Sequence, residues 1–240
     1  MTLENGYFIF GMCSPTYFEV HIDDFETFKG LIVADFHIGC ILEREESEKK
    51  IFENLQLLVE KVQPTHIFIL GDIFHYNFAR EDDWYFNFFD SLAQLFTCPI
   101  FIIPGNHDYT LFPVQENCFT QYKKDNNIYP IDVDLLEIQF SNEFSLFLGH
   151  DIRYNQFVHF HEFVVKWMNE IRQYCKDRMK NSDVLIIGHT HEDIDDEETN
   201  NYTLGPFSCD LKESSYGIIT FNPEFKFQHE INFISNITLE

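Results

Sequence analysis

Basic residues are scarce in this chain of 240 residues. The sequence has 16 Lys and Arg against 40 Asp and Glu, which gives a formal net charge of −24. A surface with this charge repels anionic membranes and the phosphate backbone of DNA or RNA. We therefore expect an extended nucleic acid to be disfavoured as a partner.

Membrane-length hydrophobic runs and cysteine motifs are also missing. No stretch approaches the length that spans a bilayer, and the first residues carry Glu4 where a secretory leader has basic residues. The six cysteines contain no C-x-x-C pair, which excludes a zinc knuckle and an obvious disulfide framework. These absences predict a protein without a membrane span that works in a reducing cytoplasm.

The chain is nevertheless rich in core-forming residues. Hydrophobic residues make up 45% of the sequence, and 28 residues are Phe. Such an acidic composition is typical of disordered proteins, but the aromatic content and the regular hydrophobic periodicity argue against disorder. Because we find neither a linker nor an internal repeat, we expect residues 1–240 to form a single domain.

The first half of the chain alternates between buried strands and amphipathic helices. Apolar runs predict strands at 30–34, 66–70 and 100–103, and apolar residues at helical spacing predict helices at 45–62 and 83–96. This order is typical of βαβ units, which form a parallel sheet and collect the carboxyl ends of their strands at one edge.

The other segments show weaker patterns. We expect an opening hairpin from Tyr7–Phe10 and Tyr17–Ile22, a loop at Tyr109–Tyr129, and a hairpin from Leu135–Phe140 and Phe144–Leu148. Further expected elements are a long helix from Phe157 to about Lys180, a buried strand at 183–187, a solvated acidic loop at Glu192–Glu198, and antiparallel strands at 202–206, 215–221 and 225–233.

Polar residues follow the predicted buried strands directly. They are Asp35, His37, Asp72, Asn106, His107, His150, His189 and His191. Carboxylate, amide and imidazole groups together suit divalent ions such as Mn, Fe, Zn or Ni, and the absence of cysteine argues against a structural zinc site. A carboxylate between two such clusters also suits a binuclear centre, in which one ligand bridges two ions about 3.5 to 4 Å apart.

The motifs D-x-H, G-D-x-x, G-N-H-D, G-H and G-H-x-H follow one another in this order between Asp35 and His191. In this order they resemble those of the calcineurin-like metallophosphoesterases. The segment from Gly30 to Asp108 is most similar to small prokaryotic phosphoesterases that include the DNA-ligase-associated group, which also carry G-D-x-x-H. The resemblance implies an α/β (α+β) fold, a four-layer αββα sandwich of two mixed β-sheets flanked by helices.

The resemblance also implies a role for each motif residue. One metal ion would be held by Asp35, His37, Asp72 and His191, and a second by Asp72, Asn106, His150 and His189. Asp72 would bridge the two divalent ions, for which Mn is the first choice and Fe, Zn, Ni or Mg are alternatives. A metal-bridging hydroxide would attack phosphorus in line. His107 would protonate the leaving oxygen, and Asp108 would orient His107.

Two further residues are candidate substrate contacts. His75 ends the G-D-x-x-H motif, and it could contact substrate, support a metal ligand or simply pack locally. Arg153 closely follows His150, and its guanidinium could bind a phosphate in a bidentate manner.

The predicted activity is hydrolysis of a phosphomonoester or phosphodiester in a small molecule or nucleotide. Alternatives are a nuclease, or a nucleotide-sugar or lipid pyrophosphohydrolase, acting through the same site. The alternative that is not an enzyme is a non-catalytic metal-binding scaffold of this fold. Such a scaffold would be recognised by the loss of metal-ligand residues from its sequence, and no ligand is lost here. The sequence leaves the oligomeric state open.

Overall fold

The computed structural model describes residues 3–4, 7–8, 16–22, 28–75, 82–108, 118–123, 126–141, 144–150, 161–208, 214–222 and 226–233. The helices are α1 (Arg44–Val62), α2 (Asp82–Leu95), α3 (Cys118–Gln121) and α4 (His161–Tyr174). The strands are β1 (Leu3–Glu4), β2 (Tyr7–Phe8), β3 (Tyr17–His21), β4 (Lys29–Ala34), β5 (His66–Leu70), β6 (Ile100–Ile103), β7 (Ile128–Pro130), β8 (Leu135–Ser141), β9 (Phe144–Gly149), β10 (Val184–Ile187), β11 (Ile194–Asp196), β12 (Asn201–Thr203), β13 (Ser215–Asn222) and β14 (Lys226–Phe233).

The first sheet contains the predicted βαβ units. Its strand order is β14-β13-β4-β5-β6-β7. Strands β4, β5, β6 and β7 are mutually parallel, whereas β13 runs antiparallel to both β4 and β14. The sheet is therefore mixed, and the expected parallel pairing of the first three buried strands is confirmed.

The second sheet carries the later motifs. Its order is β11-β12-β10-β9-β8-β3. The predicted hairpin of β8 and β9 is antiparallel, while β10 runs parallel to β9 and to β12. The sequence predicted only antiparallel strands after β10, so the parallel pairing of β12 differs from that expectation.

Alternate residues of the strands build a four-layer sandwich. In β4, Leu31 and Val33 pack under α1 and α2, while Ile32 and Ala34 face the second sheet. On the outer side of the second sheet, Leu185 and the other outward residues pack against α4. Side chains alternate between the two faces of a strand. A continuous apolar strand therefore contributes to the core between the sheets with one face and to the core under the helices with the other. The predicted αββα architecture is confirmed.

Helix α1 shows why these segments become helical. Its buried residues include Ile51, Leu55, Leu58 and Val62, which recur at helical spacing on one face. The helix ends where Gln63 adopts a left-handed conformation and its N–H donates to the carbonyl of Val59.

The predicted opening hairpin is wrong. Strand β2 pairs with β1, whereas β3 pairs in parallel with β8, more than 100 residues further along the chain. Burial favours β8 as the partner of β3. In that position Val20 packs into the core between the two sheets, and Tyr17 packs into the core under α4. A hairpin prediction uses only neighbouring sequence and cannot detect such a contact.

Three other expectations needed correction. The predicted loop at Tyr109–Tyr129 contains the short helix α3 and the start of β7, and Phe119 packs on Phe89 of α2 with ring centroids 5.7 Å apart. The long helix ends at Tyr174 and not near Lys180, and its expected first residues, 157–160, lie outside the described residues. The acidic run is not simply a loop, because β11 lies inside it and pairs with β12.

Among the described residues, we find no helix that is both long enough and apolar enough to cross a membrane.

Candidate functional site

The motif residues meet where strands of both sheets end. Past the end of β4, the chain stays paired with the segment after β5, because the N–H of Asp35 donates to Gly71 (3.2 Å) and the N–H of His37 donates to the carbonyl of Asp72 (2.9 Å). In the second sheet, the N–H of Gly188 donates to Gly149 (3.1 Å). These bonds fix the backbone directly beside the polar side chains.

Two glycines allow the loops of the first sheet to touch. A Cβ on Gly71 would lie 2.6 Å from the Cα of Gly105 and 2.8 Å from Cγ of His150. A Cβ on Gly105 would lie 2.8 Å from Cγ of Asp72. Any side chain at either position would therefore separate the loops that carry these polar groups.

We expect Gly105→Ala to disturb the site and to lower the stability of the fold. The added methyl overlaps the Asp72 carboxylate, and overpacking of this kind costs about 1 to 3 kcal/mol. Metal content and thermal unfolding would measure the effect. Gly217→Ala is the matched control, because a Cβ there meets its neighbours at ordinary distances of 3.5 Å or more. Equal metal content in the two variants would contradict this prediction.

The backbone is strained at the motif residues. Most of the non-glycine residues with positive φ in the described chain are motif residues, namely Asp35 (56°), His37 (43°), Asp72 (50°), His189 (72°) and His191 (56°). Non-glycine residues adopt this conformation at a cost, and such residues concentrate at functional sites. The fold therefore holds these side chains in directions that an ordinary strand end would not give.

Each of the two central carboxylates is held by one oxygen. The N–H of His189 donates to Oδ2 of Asp35 (2.9 Å), and the N–H of His107 donates to Oδ1 of Asp72 (2.7 Å). The other oxygens, Oδ1 of Asp35 and Oδ2 of Asp72, point toward the histidines. Both residues are buried, at 0% and 1% exposure.

One of these inward oxygens lacks a partner. Within the described part of the chain, Oδ1 of Asp35 is buried and accepts no hydrogen bond. A buried carboxylate oxygen without a partner is costly, unless a cation compensates it. A carboxylate oxygen of this kind is expected where a metal ion binds, so the residues present fit a divalent ion.

The first group of possible ligands surrounds that oxygen. Nε2 of His37 lies 3.9 Å from Oδ1 of Asp35 and 2.9 Å from Nε2 of His191. Nε2 of His191 lies 3.5 Å from the same carboxylate oxygen, and Oδ2 of Asp72 lies 3.7 Å from Nε2 of His37. Asp35, His37 and His191 thus place one ligand atom each within 4.8 Å of one another, and Oδ2 of Asp72 lies beside this group.

The second group lies on the other side of Asp72. Oδ2 of Asp72 is 3.3 Å from Nε2 of His150, which in turn is 3.1 Å from Oδ1 of Asn106. The Asn106 oxygen is 2.8 Å from Nδ1 of His189. Because the same Asp72 oxygen faces a histidine of each group, it stands where a bridging ligand would stand.

The protonation of four of these groups suits a cation. The Nδ1–H of His150 donates to the carbonyl of Leu70 (2.7 Å), and its Nε2 faces Oδ2 of Asp72 and Oδ1 of Asn106. Burial lowers the pKa of both His37 and His189 to about 4, so both are neutral at pH 7. Burial by itself raises the pKa of Asp72, but His150 and the other histidines outweigh it and hold the pKa well below its usual range.

His107 lies at the rim of both groups. Its ring is edge-on to that of His37, with centroids 4.9 Å apart. Its Nδ1–H donates to the main-chain carbonyl of His75. His107 is partly exposed, as a proton donor to a bound substrate must be.

The Asp108 carboxylate is bonded to the loop that carries His107. Its carboxylate accepts hydrogen bonds from the N–H of Gly105 (2.8 Å), the N–H of Ile73 (3.1 Å) and the hydroxyl of Tyr85 (2.8 Å). Asp108 is 1% exposed. It therefore fixes the backbone of the loop that carries His107 and joins it to the loop after β5.

The two predicted substrate contacts fare differently. The structure brings His75 into the site, where its ring stacks on that of His107 at 5.3 Å and 21°. Arg153 lies outside the described residues.

Sequence reasoning missed several supporting residues. Tyr85 on α2, which binds Asp108, and Trp167 on α4, whose ring lies 6.1 Å from that of His189, look like ordinary helix core residues. Gly71 and Gly105 were recognisable, because each directly precedes a motif residue and a small residue there permits close approach.

Comparisons with known proteins agree with this geometry. The sequence model of the family described as calcineurin-like phosphoesterase matches residues 28–223. No curated protein matches the chain in sequence.

Several solved structures are similar to this chain. A novel archaeal phosphodiesterase is 17% identical, over 85% of this chain and 100% of that one, with a TM-score of 0.47. The nuclease MPE of Pseudomonas putida is 15% identical, over 80% and 84% of the two chains, with a TM-score of 0.40. GAP50, described as the anchor in the inner membrane complex of Plasmodium, is 10% identical, over 87% and 85%, with a TM-score of 0.50. At these identities the likeness concerns the fold alone.

Proposed function

Because this chain belongs to the calcineurin-like phosphoesterases, which are metal-dependent phosphoric ester hydrolases, we propose that it hydrolyses a small phosphomonoester or phosphodiester with two divalent ions. The observation that carries the proposal is the convergence of both ligand groups on Asp72, beside the unpartnered buried Oδ1 of Asp35.

The proposed ligands divide as the two groups do. Asp35, His37, Asp72 and His191 hold one ion, and Asp72, Asn106, His150 and His189 hold the other. When bound, such ions activate water as a nucleophile at neutral pH and neutralise charge on the phosphoryl oxygens. We propose Mn²⁺ for both positions, because imidazole, carboxylate and amide oxygen together suit it.

The remaining chemistry belongs to the protein. As an imidazolium, with a proton on each ring nitrogen, His107 donates a proton to the leaving oxygen from Nε2, while its Nδ1–H stays bonded to the carbonyl of His75. Asp108 keeps the loop of His107 in place through its bonds to Gly105 and Ile73. The strained backbone at the motif residues keeps the donor atoms directed inward before any ion binds, which lowers the cost of binding.

The substrate that we propose is a small phosphoester, including a nucleotide. The formal charge of −24 opposes binding of an extended nucleic acid, which needs a basic surface. We propose a reducing cytoplasm as the working compartment, because three of the six cysteines, Cys40, Cys98 and Cys175, are free thiols in the described part of the chain.

Metal dependence tests the proposal directly. We expect chelator-treated protein to lose hydrolysis of a chromogenic phosphodiester and a chromogenic monoester, and Mn²⁺ to restore it with about two ions per chain. Metal analysis alongside the rate assay would measure both quantities. Full activity after removal of the metal would contradict the mechanism, and stoichiometric metal without activity on any phosphoester would indicate a scaffold.

A comparison of substrates tests the substrate class. The same Mn²⁺-loaded protein should cleave small diesters or nucleotides faster than single-stranded or double-stranded DNA of equal phosphate concentration. Preferential cleavage of DNA would contradict the small-substrate proposal and favour the nuclease.

A further inference from the structure

His75 stands between a proposed metal ligand and the proposed proton donor. Its ring stacks on His107 (centroids 5.3 Å apart, 21°) and is edge-on to His37 (5.3 Å, 72°). Its backbone is fixed, because its N–H donates to the carbonyl of Ile38 (3.1 Å). The position of the ring is therefore set by the same strand pairing that positions His37.

The three histidines are close enough together to suggest a third ion. Their chemistry argues against it, since a neutral imidazole has one unprotonated nitrogen. His37 directs Nε2 at the carboxylates of Asp35 and Asp72, at 3.9 and 3.7 Å. Nδ1 of His107 is already bonded to the carbonyl of His75. The cluster is therefore a hydrogen-bonded group and not a third metal site.

The proton positions follow from these contacts. If Nε2 of His37 is to bind an ion, its proton must be on Nδ1, which lies 3.3 Å from Nδ1 of His75. His37 is then the donor and His75 the acceptor. The carbonyl of His75 can only accept, so His107 is the donor in the second contact. His75 accepts from both neighbours, with its ring from one and with its main chain from the other.

We propose that His75 is a positioning residue, whose ring nitrogen fixes the tautomer and orientation of the metal ligand His37. This inference rests on the proposed function. A histidine that binds a metal commonly donates its other N–H to a neighbouring acceptor, and loss of that acceptor lowers metal affinity by about 10- to 100-fold. The stacked ring of His107 limits how far the His75 ring can turn away from His37.

Two variants separate hydrogen bonding from packing. His75→Phe keeps an aromatic ring that can stack on His107 but removes the acceptor. His75→Asn removes the ring but offers an amide oxygen near the position of Nδ1. Calorimetric titration of the metal-free full chain with Mn²⁺ would compare the metal affinities of both variants with that of the wild type. The same titration of His191→Ala would show which binding step belongs to the ion that His37 and His191 hold, because that step should be lost.

We expect His75→Phe to weaken that same step by about 10- to 100-fold, and His75→Asn to restore it to within a few-fold of the wild type. Circular dichroism and thermal unfolding would verify that both variants fold. The role of His75 would be overturned if His75→Phe bound Mn²⁺ as tightly as the wild type, or if His75→Asn bound it more weakly than His75→Phe. Either result would leave the proposed function intact. Absence of Mn²⁺ binding by the wild type would instead overturn the proposed function.

Discussion

Asp72→Asn should abolish hydrolysis, with a loss of activity greater than about 100-fold. Mutation of a residue that only supports a metal ligand already lowers metal affinity or activity by about 10- to 100-fold, and Asp72 is itself a proposed ligand. The Asp72 carboxylate is the group shared by the two sets of ligands, with Oδ2 at 3.7 Å from Nε2 of His37 and 3.3 Å from Nε2 of His150. Its Oδ1 is occupied by the N–H of His107. An Asn that keeps this bond must turn its NH₂ toward the two histidines, and an amide nitrogen does not bind these cations.

The change preserves shape, so it isolates the charge and the donor atom. Steady-state hydrolysis of the chromogenic substrates and metal content after gel filtration would measure the two effects together. Asp177→Asn, at an exposed position after α4, is the matched control and should behave as the wild type. Retained activity in Asp72→Asn would contradict the proposal that Asp72 bridges the two ions.

His107→Gln should lower kcat by about 10²- to 10⁴-fold while both ions stay bound. That range is the usual contribution of a general acid, and His107 lies beside the ligand groups without belonging to either. The loss should be smaller for substrates with a good leaving group, because such an oxygen departs without a proton. His21→Gln, on the exposed edge strand β3, is the control for replacement of a histidine.

Asn106→Ala should give the opposite result, although Asn106 is the neighbour of His107 in sequence. The Asn106 oxygen lies 3.1 Å from Nε2 of His150 and 2.8 Å from Nδ1 of His189, so its removal should empty the second position. Metal content and rate, measured on both variants, would separate the two roles. If both variants lost the same ion, the assignment of His107 as proton donor would be wrong.

The order of elements in the first sheet was predictable because its information is local. Apolar runs with helical segments between them define β4, β5 and β6, and period-two burial follows from the backbone of a strand. The partner of β3 was not predictable, because β8 lies far along the chain and the pairing depends on a core that both strands help to build.

The site divides in the same way. The sequence predicted that carboxylate, amide and imidazole groups gather at one edge, because the carboxyl ends of parallel strands meet there. It could not predict which oxygen of Asp35 remains without a partner. That depends on the N–H of His189, which is 154 residues away in sequence.

The sequence by itself determined the residue types that suit a binuclear metal site, their order along the chain, and a formal net charge of −24. Only the tertiary structure decided how each group is used. Asp108 serves the loop backbone, and His75 stands against His37 and His107, because these contacts join segments brought together by strand pairing. Residue type is a local property, whereas the hydrogen-bond partner of a buried atom is a property of the whole fold.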